Sequence, residues 1–126
     1  MKTKLSSSAI WEDIIGYSRA IKVGNTIEIA GTAAVKNGEV VHTGDPYHQT
    51  KYILQIIEHA LKQLDASMDD VVRTRIYLKH INDWEEVGRA HGEFFSKIKP
   101  VSTMLAVSSM INPEMLVEIE ATAIIS

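Results

Sequence analysis

Two carboxylates, Glu118 and Glu120, stand two residues apart in the run Leu116-Val117-Glu118-Ile119-Glu120-Ala121, near the end of a 126-residue chain. Acids alternating with aliphatic residues read as a β-strand with both carboxylates on one face, about 7 Å apart by the rise of a strand. Such a pair could serve as acid and base across a glycosidic bond. Neighbouring acids on one strand face are common, however, and a solvated or ion-paired face is the plainer reading. A working carboxylate also needs a donor or cation to hold its substrate. Arg73 and Arg75 share a strand face with Tyr77 and are placed to pair with Glu118 or Glu120, while Arg89 and His91 fall on a helix. His42, His48, His59, His80 and His91 form no HxH or HExxH pattern, so no metal site is expected. Gly24, Gly31, Gly38 and Gly44 read as turn residues rather than a phosphate cradle. Ser102, Ser108 and Ser109 lie in no nucleophile-elbow context.

These residues must be positioned by strands and two helices. Pro100 to Ile125 reads as two strands joined by a turn, the second with Val117, Ile119, Ala121, Ala123 and Ile125 on one face. Leu116, Glu118, Glu120, Thr122 and Ile124 take the other face, whose apolar members point to contact with further subunits. Up to about Tyr17 the chain reads as an irregular surface segment, with Trp11 covering apolar surface. Gly24-Asn25 predicts a tight hairpin between Arg19–Val23 and Thr26–Ala30, and Asn37-Gly38 a second turn. Asp45-Pro46 caps a helix whose stripe is Ile53, Ile56, Ile57, Ala60, Leu61 and Leu64. Val71–Leu78 reads as a strand with Val72, Thr74, Ile76 and Leu78 on one face. A second helix, capped by Asn82 or Asp83 and stopped by Pro100, presents Trp84, Val87, His91, Phe94, Phe95 and Ile98 on one side. The order predicts an α+β fold, two helices packed on one face of a mainly antiparallel or mixed sheet.

Composition bounds the function. The length suits a single domain over residues 1–126. A net charge of −3 gives no general attraction to phosphate backbones, so a nucleic-acid partner is not expected. Without cysteine there is no disulfide framework, thiolate nucleophile or Cys-ligated metal, which fits a reducing, cytoplasmic location. No apolar run reaches the ~20 residues of a membrane helix, so no membrane partner is expected.

The segments GYSRAIKVGNTIEIAG, DVVRTRIYLKHINDWEEVGRAHGEFF and PVSTMLAVSSMINPEMLVEIEA together resemble the Rid family, also known as YjgF/RidA or reactive intermediate deaminases. The resemblance covers nearly the whole chain and rests on the order and spacing of the segments. It implies a chorismate-mutase-like fold, a homotrimer, and small-ligand sites in clefts between subunits. Archetypal members hydrolyse 2-imino acids to 2-keto acids and ammonia without a cofactor. Carried over by position, Glu118 takes the place of the water-positioning glutamate and Tyr17 that of the cleft-lining tyrosine. Ala30 replaces the usual polar residue before Gly31, Gly88 replaces an asparagine, and Met104 offers a backbone N–H. Ser102 stands where deaminating members have the arginine that grips the carboxylate, a charge that serine does not supply. Arg89, beside Gly88, is one candidate replacement. Two readings stay open: hydrolysis of an imine, enamine or related C–N species, and a non-catalytic ligand-binding or protein-interaction trimer.

Overall fold

Gly24 takes positive φ (60°) in the turn that joins β2 (Ala20–Val23) to β3 (Thr26–Thr32), forming the predicted hairpin. The computed structural model describes residues 1–126. Before the hairpin, β1 (Lys2–Leu5) pairs antiparallel with β2. A single π-helical turn over Glu12–Gly16 follows β1, so the expected irregular segment is partly regular. Lys2–Leu5 has little alternation to reveal a strand, and its place is set by pairing with β2 rather than by its own pattern. Trp11, expected to cover apolar surface, is 58% exposed within the chain.

After the short β4 (Val35–Lys36) and β5 (Glu39–Val40), around Asn37-Gly38, comes α1 (Pro46–Gln63). The Asp45 carboxylate accepts the His48 N–H at 3.0 Å, satisfying one of the free donors of the first turn. Ile53, Leu54, Ile57, Ala60 and Leu61 are buried along one side of α1. Each large aliphatic among them contributes about 1.5–3 kcal/mol by leaving water.

β6 (Val71–Leu78) leads through α2 (Trp84–Phe95) to β7 (Val101–Ala106), and β8 (Val117–Ile124) closes the sheet. The strand order is β1-β2-β3-β8-β6-β7, with only β6 and β7 parallel. The last two strands are therefore not a hairpin. β6 lies between them, since the connection through α2 delivers β7 parallel to β6 at the sheet edge. Both helices cover one face, where Thr74, Ile76, Leu78, Val117, Ile119, Ala121 and Ala123 are buried. This is the chorismate-mutase-like fold.

Three facial assignments change. In β6 a bulge between Val71 and Arg73 inverts the alternation, so Val71 is buried and Val72 exposed. Trp84, at the start of α2, is 54% exposed, and Val87, Ala90 and Phe95 carry the packing instead. Leu116 precedes β8 and turns inward, its N–H donating to the buried Gln49 Oε1 at 2.9 Å. Ile124, by contrast, remains on the open face.

Candidate functional site

The open face of the sheet carries its polar residues in cross-strand pairs. Glu28 accepts the Thr122 hydroxyl at 2.6 Å. Glu120 accepts the Tyr77 hydroxyl at 2.9 Å and lies 3.7 Å from the Arg75 guanidinium. The Tyr77 phenol is accordingly held above its ordinary pKa by burial and by its bond to Glu120. Arg73 donates to Thr103 across the β6–β7 ladder. These residues are tied into the sheet.

Glu118 differs. It stands opposite Tyr77 in the β6–β8 ladder, is half-buried, and has neither a protein hydrogen bond nor an ion pair within 4.0 Å. Burial raises its pKa, the positive field of Arg19 works against that rise, and the negative field of Glu120 adds to it. A second bulge places its neighbour. Between the pairs Ile29–Ala121 and Thr32–Ile119, the two residues Ala30 and Gly31 oppose the single residue Glu120. The extra residue brings the Gly31 backbone against the Glu118 carboxyl. A Cβ at Gly31 would lie 3.1 Å from both Cδ and Oε2 of Glu118, so the absent side chain is what lets the acid lie there.

Arg19 completes this wall. Its Nη1 donates to the Gly31 carbonyl and to Thr32 Oγ1, both at 2.9 Å, and its guanidinium carbon lies 5.8 Å from the centre of the Tyr17 ring. Tyr17 follows the π-helical turn with an extended backbone and is partly exposed. Tyr17, Arg19, Ala30, Gly31 and Glu118 thus form one neighbourhood. Beyond Glu118 a cleft of about 250 Å³ opens, lined by Tyr77, Val107, Ser109, Met110, Ile111 and Met115 as well as the acid itself.

Ser102, Met104 and Arg89 are elsewhere. Ser102 pairs with Thr74 in the β6–β7 ladder, and so its side chain shares the helix-covered face rather than the face of Glu118. Its hydroxyl accepts from Thr74 Oγ1 at 2.8 Å, and Thr74 Oγ1 also lies 2.9 Å from His91 Nε2. Burial lowers the His91 pKa by disfavouring the charged ring. Met104 packs its side chain against the core from the edge strand. Arg89 lies on α2, bonded to Glu86 at 2.7 Å and stacked 4.0 Å above the Tyr47 ring. One chain therefore brings Tyr17, Ala30, Gly31 and Glu118 together and holds Ser102, Met104 and Arg89 apart from them.

In the sequence GYSRA reads as the lead into a hairpin strand, which conceals Arg19 as a site residue. The signal was present: Tyr17 and Arg19 are two apart, the spacing that puts strand residues on one face. No group of three or more His, Cys, Asp or Glu residues is arranged to hold a metal ion.

The profile of the family described as Endoribonuclease L-PSP matches residues 8–125. The chain belongs to this family, the YjgF/RidA or Rid proteins. Its sequence is 37% identical over 120 residues to an uncharacterized protein of Streptomyces coelicolor, covering 95% of this chain and 90% of that one. It is 30% identical over 108 residues to the 3-aminoacrylate deaminase RutC of Acinetobacter baylyi, with 85% of each chain covered. Among solved structures, a Mycobacterium tuberculosis member of the YjgF/YER057c/UK114 family superposes with a TM-score of 0.90 at 42% identity, covering 99% of this chain and all of the other. A Rid-family protein of Yersinia pestis superposes at 0.88 with 27% identity, again covering 99% of this chain and all of the other.

Proposed function

We propose that the protein is a cytoplasmic homotrimer that hydrolyses an imine or enamine of a small metabolite in clefts between subunits, with Glu118 as the group that activates water. The observation that carries this reading is Glu118 itself. It is a half-buried carboxyl with no protein partner, beside a glycine whose missing side chain makes room for it. A carboxyl pKa raised by burial makes a stronger base than an ordinary surface glutamate.

In the proposed reaction, the Glu118 carboxylate takes a proton from water as its oxygen adds to the protonated imine carbon. Glu118 then returns the proton to nitrogen, ammonia departs, and the hydroxyl proton passes through Glu118 to the departing ammonia as the carbonyl forms. The balance is imine plus water to carbonyl plus ammonia, which needs no redox partner and no cofactor. An enamine enters the same route after protonation at carbon. Tyr17 walls the cleft. The opposite wall comes from a neighbouring subunit and carries Arg89, Ser102 and the backbone N–H of Met104.

The separation of Glu118 from Ser102 on opposite faces of one chain supports a site shared between chains. Exposed Val23, Val101, Leu105 and Ile124 on the open face, with Ile10, Ile14 and Ile15 nearby in sequence to Tyr17, support burial in an oligomer. The relative named as a 3-aminoacrylate deaminase supports enamine chemistry. Strand-tracking RNA contact has less support, given a net charge of −3 and the pairing of Arg75 and Arg89 with acids.

The alternative is a binding trimer that has kept the scaffold without the reaction, and it is favoured by Ser102, which brings no charge to grip a carboxylate. The test is keto-acid or aldehyde formation from freshly generated 2-iminopropionate, 2-iminobutyrate and 3-aminoacrylate, comparing wild type, Glu118→Ala and Ser102→Arg. Wild-type turnover lost in Glu118→Ala is the expected result. An inert wild type with turnover gained in Ser102→Arg would favour the binding trimer, and three inert proteins would remove the hydrolase reading.

A further inference from the structure

A cleft that handles a small anionic metabolite needs a cation, and position 102 does not supply one. Arg89 has its charge engaged by Glu86 and its guanidinium face by Tyr47. Arg75 is beside Glu120. Arg19 is different: no carboxylate lies within 4.0 Å of it, and it is half-buried behind Gly31, close enough for its charge to act on Glu118.

The hydrogen-bond inventory of its guanidinium makes the point atom by atom. Both Nη1 hydrogens are engaged, by the Gly31 carbonyl and Thr32 Oγ1, and these two bonds fix the plane of the group. The Nη2 pair has no protein acceptor, and Nε is buried without a partner. A buried donor without an acceptor is unusual in a folded protein. A half-buried guanidinium held rigidly through one nitrogen, with its remaining donors unclaimed, is a preorganised anion receptor. It adjoins Gly31, whose backbone touches Glu118, and it faces the Tyr17 ring.

We propose that Arg19 holds the carboxylate of the ligand in the Glu118 cleft, taking over the work of a cation at position 102 from the opposite wall. The inference rests on the reading of this cleft as a small-metabolite site. It adds that the anion anchor and the acid belong to the same chain, so the carboxylate and the reacting carbon are held against one rigid wall built on the β3 bulge. The cleft then selects carboxylates over their neutral analogues.

The experiment is equilibrium binding of 2-oxobutyrate, a product-like carboxylate, and of its uncharged methyl ester to the full chain as wild type, Arg19→Gln and Arg19→Lys. Loss of a charge-assisted contact should weaken 2-oxobutyrate roughly tenfold to a hundredfold in Arg19→Gln. Arg19→Lys should fall between, and all ester affinities should stay near wild type. The Nε–H resonance of Arg19 in wild type, assigned by its disappearance in Arg19→Lys, should shift with 2-oxobutyrate and not with the ester. This second measurement does not depend on the folding of Arg19→Gln. Unchanged acid binding in a folded Arg19→Gln, an unmoved Nε–H at saturation, or no 2-oxobutyrate binding by wild type would each overturn the proposal. Arg19-dependent binding without imine turnover would leave the proposal standing while the hydrolase reading falls. Turnover with an indifferent Arg19 would do the reverse.

Discussion

Two polar clusters on the same sheet are built to opposite rules. On the helix-covered side, Thr74, His91 and Ser102 close a small network in which the threonine hydroxyl meets both partners within 2.9 Å. On the open side, Glu118 and Arg19 flank Gly31, with the acid unpaired and three of the arginine's five N–H donors unclaimed. The first cluster is locally satisfied, a buried threonine pairing with a half-buried histidine and an exposed serine. The second carries unmet electrostatic demand, which lowers stability and becomes favourable only when something else supplies the missing partner. Glu120 sharpens the contrast, since it lies two residues from Glu118 on the same face yet is committed to Tyr77 and Arg75.

The largest effect should come from the acid. Glu118→Gln should lower kcat for imine hydrolysis roughly a hundredfold or more, the ordinary range for a lost general base, while Glu120→Gln should change it far less. A steady-state comparison of the two variants would break the contrast if they behaved alike. Next comes Gly31→Ala, whose Cβ would meet the Glu118 carboxyl at 3.1 Å and displace it. Its turnover should drop about tenfold, with thermal stability close to wild type because the flexible acid side chain can yield. Thr74→Val, on the satisfied side, should reverse that pattern. It should cost about 1–3 kcal/mol in chemical denaturation by leaving His91 and Ser102 without their shared partner, and spare turnover.

The smallest effects are in pH dependence, and the two clusters differ in sign. The Glu118 pKa is raised above its ordinary 4.5, so the folded chain holds that proton more tightly than the unfolded one. Ionising it therefore costs stability as pH rises from about that value. Glu118→Gln should melt a few degrees above wild type at neutral pH, with the gap closing as pH falls below 4.5. The His91 pKa is depressed below its ordinary 6.5, so stability is fully present above 6.5 and declines as pH falls through the window beneath it. His91→Gln should flatten that decline. Melting curves over a pH series check both.

The elements that carry strong local signals were legible in the sequence. Asp45-Pro46 and the Ile53 to Leu64 stripe marked α1, and Gly24-Asn25 marked the β2–β3 hairpin. Alternation in Val117–Ile124 separated the core face from the acid face. What stayed hidden was non-local. Nothing between Pro100 and Ile125 reveals that β6 intervenes between the last two strands, because strand order is decided by the α2 crossover. Val71 and Val72 exchange faces through a bulge that only pairing with β8 creates. The site was half legible for the same reason. Glu118 and Tyr17 were named through motif position, whereas Arg19 joins their neighbourhood only through the Ala30–Gly31 bulge that brings Gly31 and Thr32 to its Nη1.

β7 pairs only with β6, and the structure leaves Val101, Thr103 and Leu105 exposed along it. Its outer backbone edge has no neighbour in the chain, a condition that invites pairing with another chain. Such a strand should also exchange its amide hydrogens ahead of β3, β8 and β6, which have strands on both sides. Because β7 carries Ser102 and Met104, dilution of the proposed trimer would expose these amides to deuterium first. The exchange rate of one edge strand would then report, residue by residue, whether the second wall of the cleft is in place.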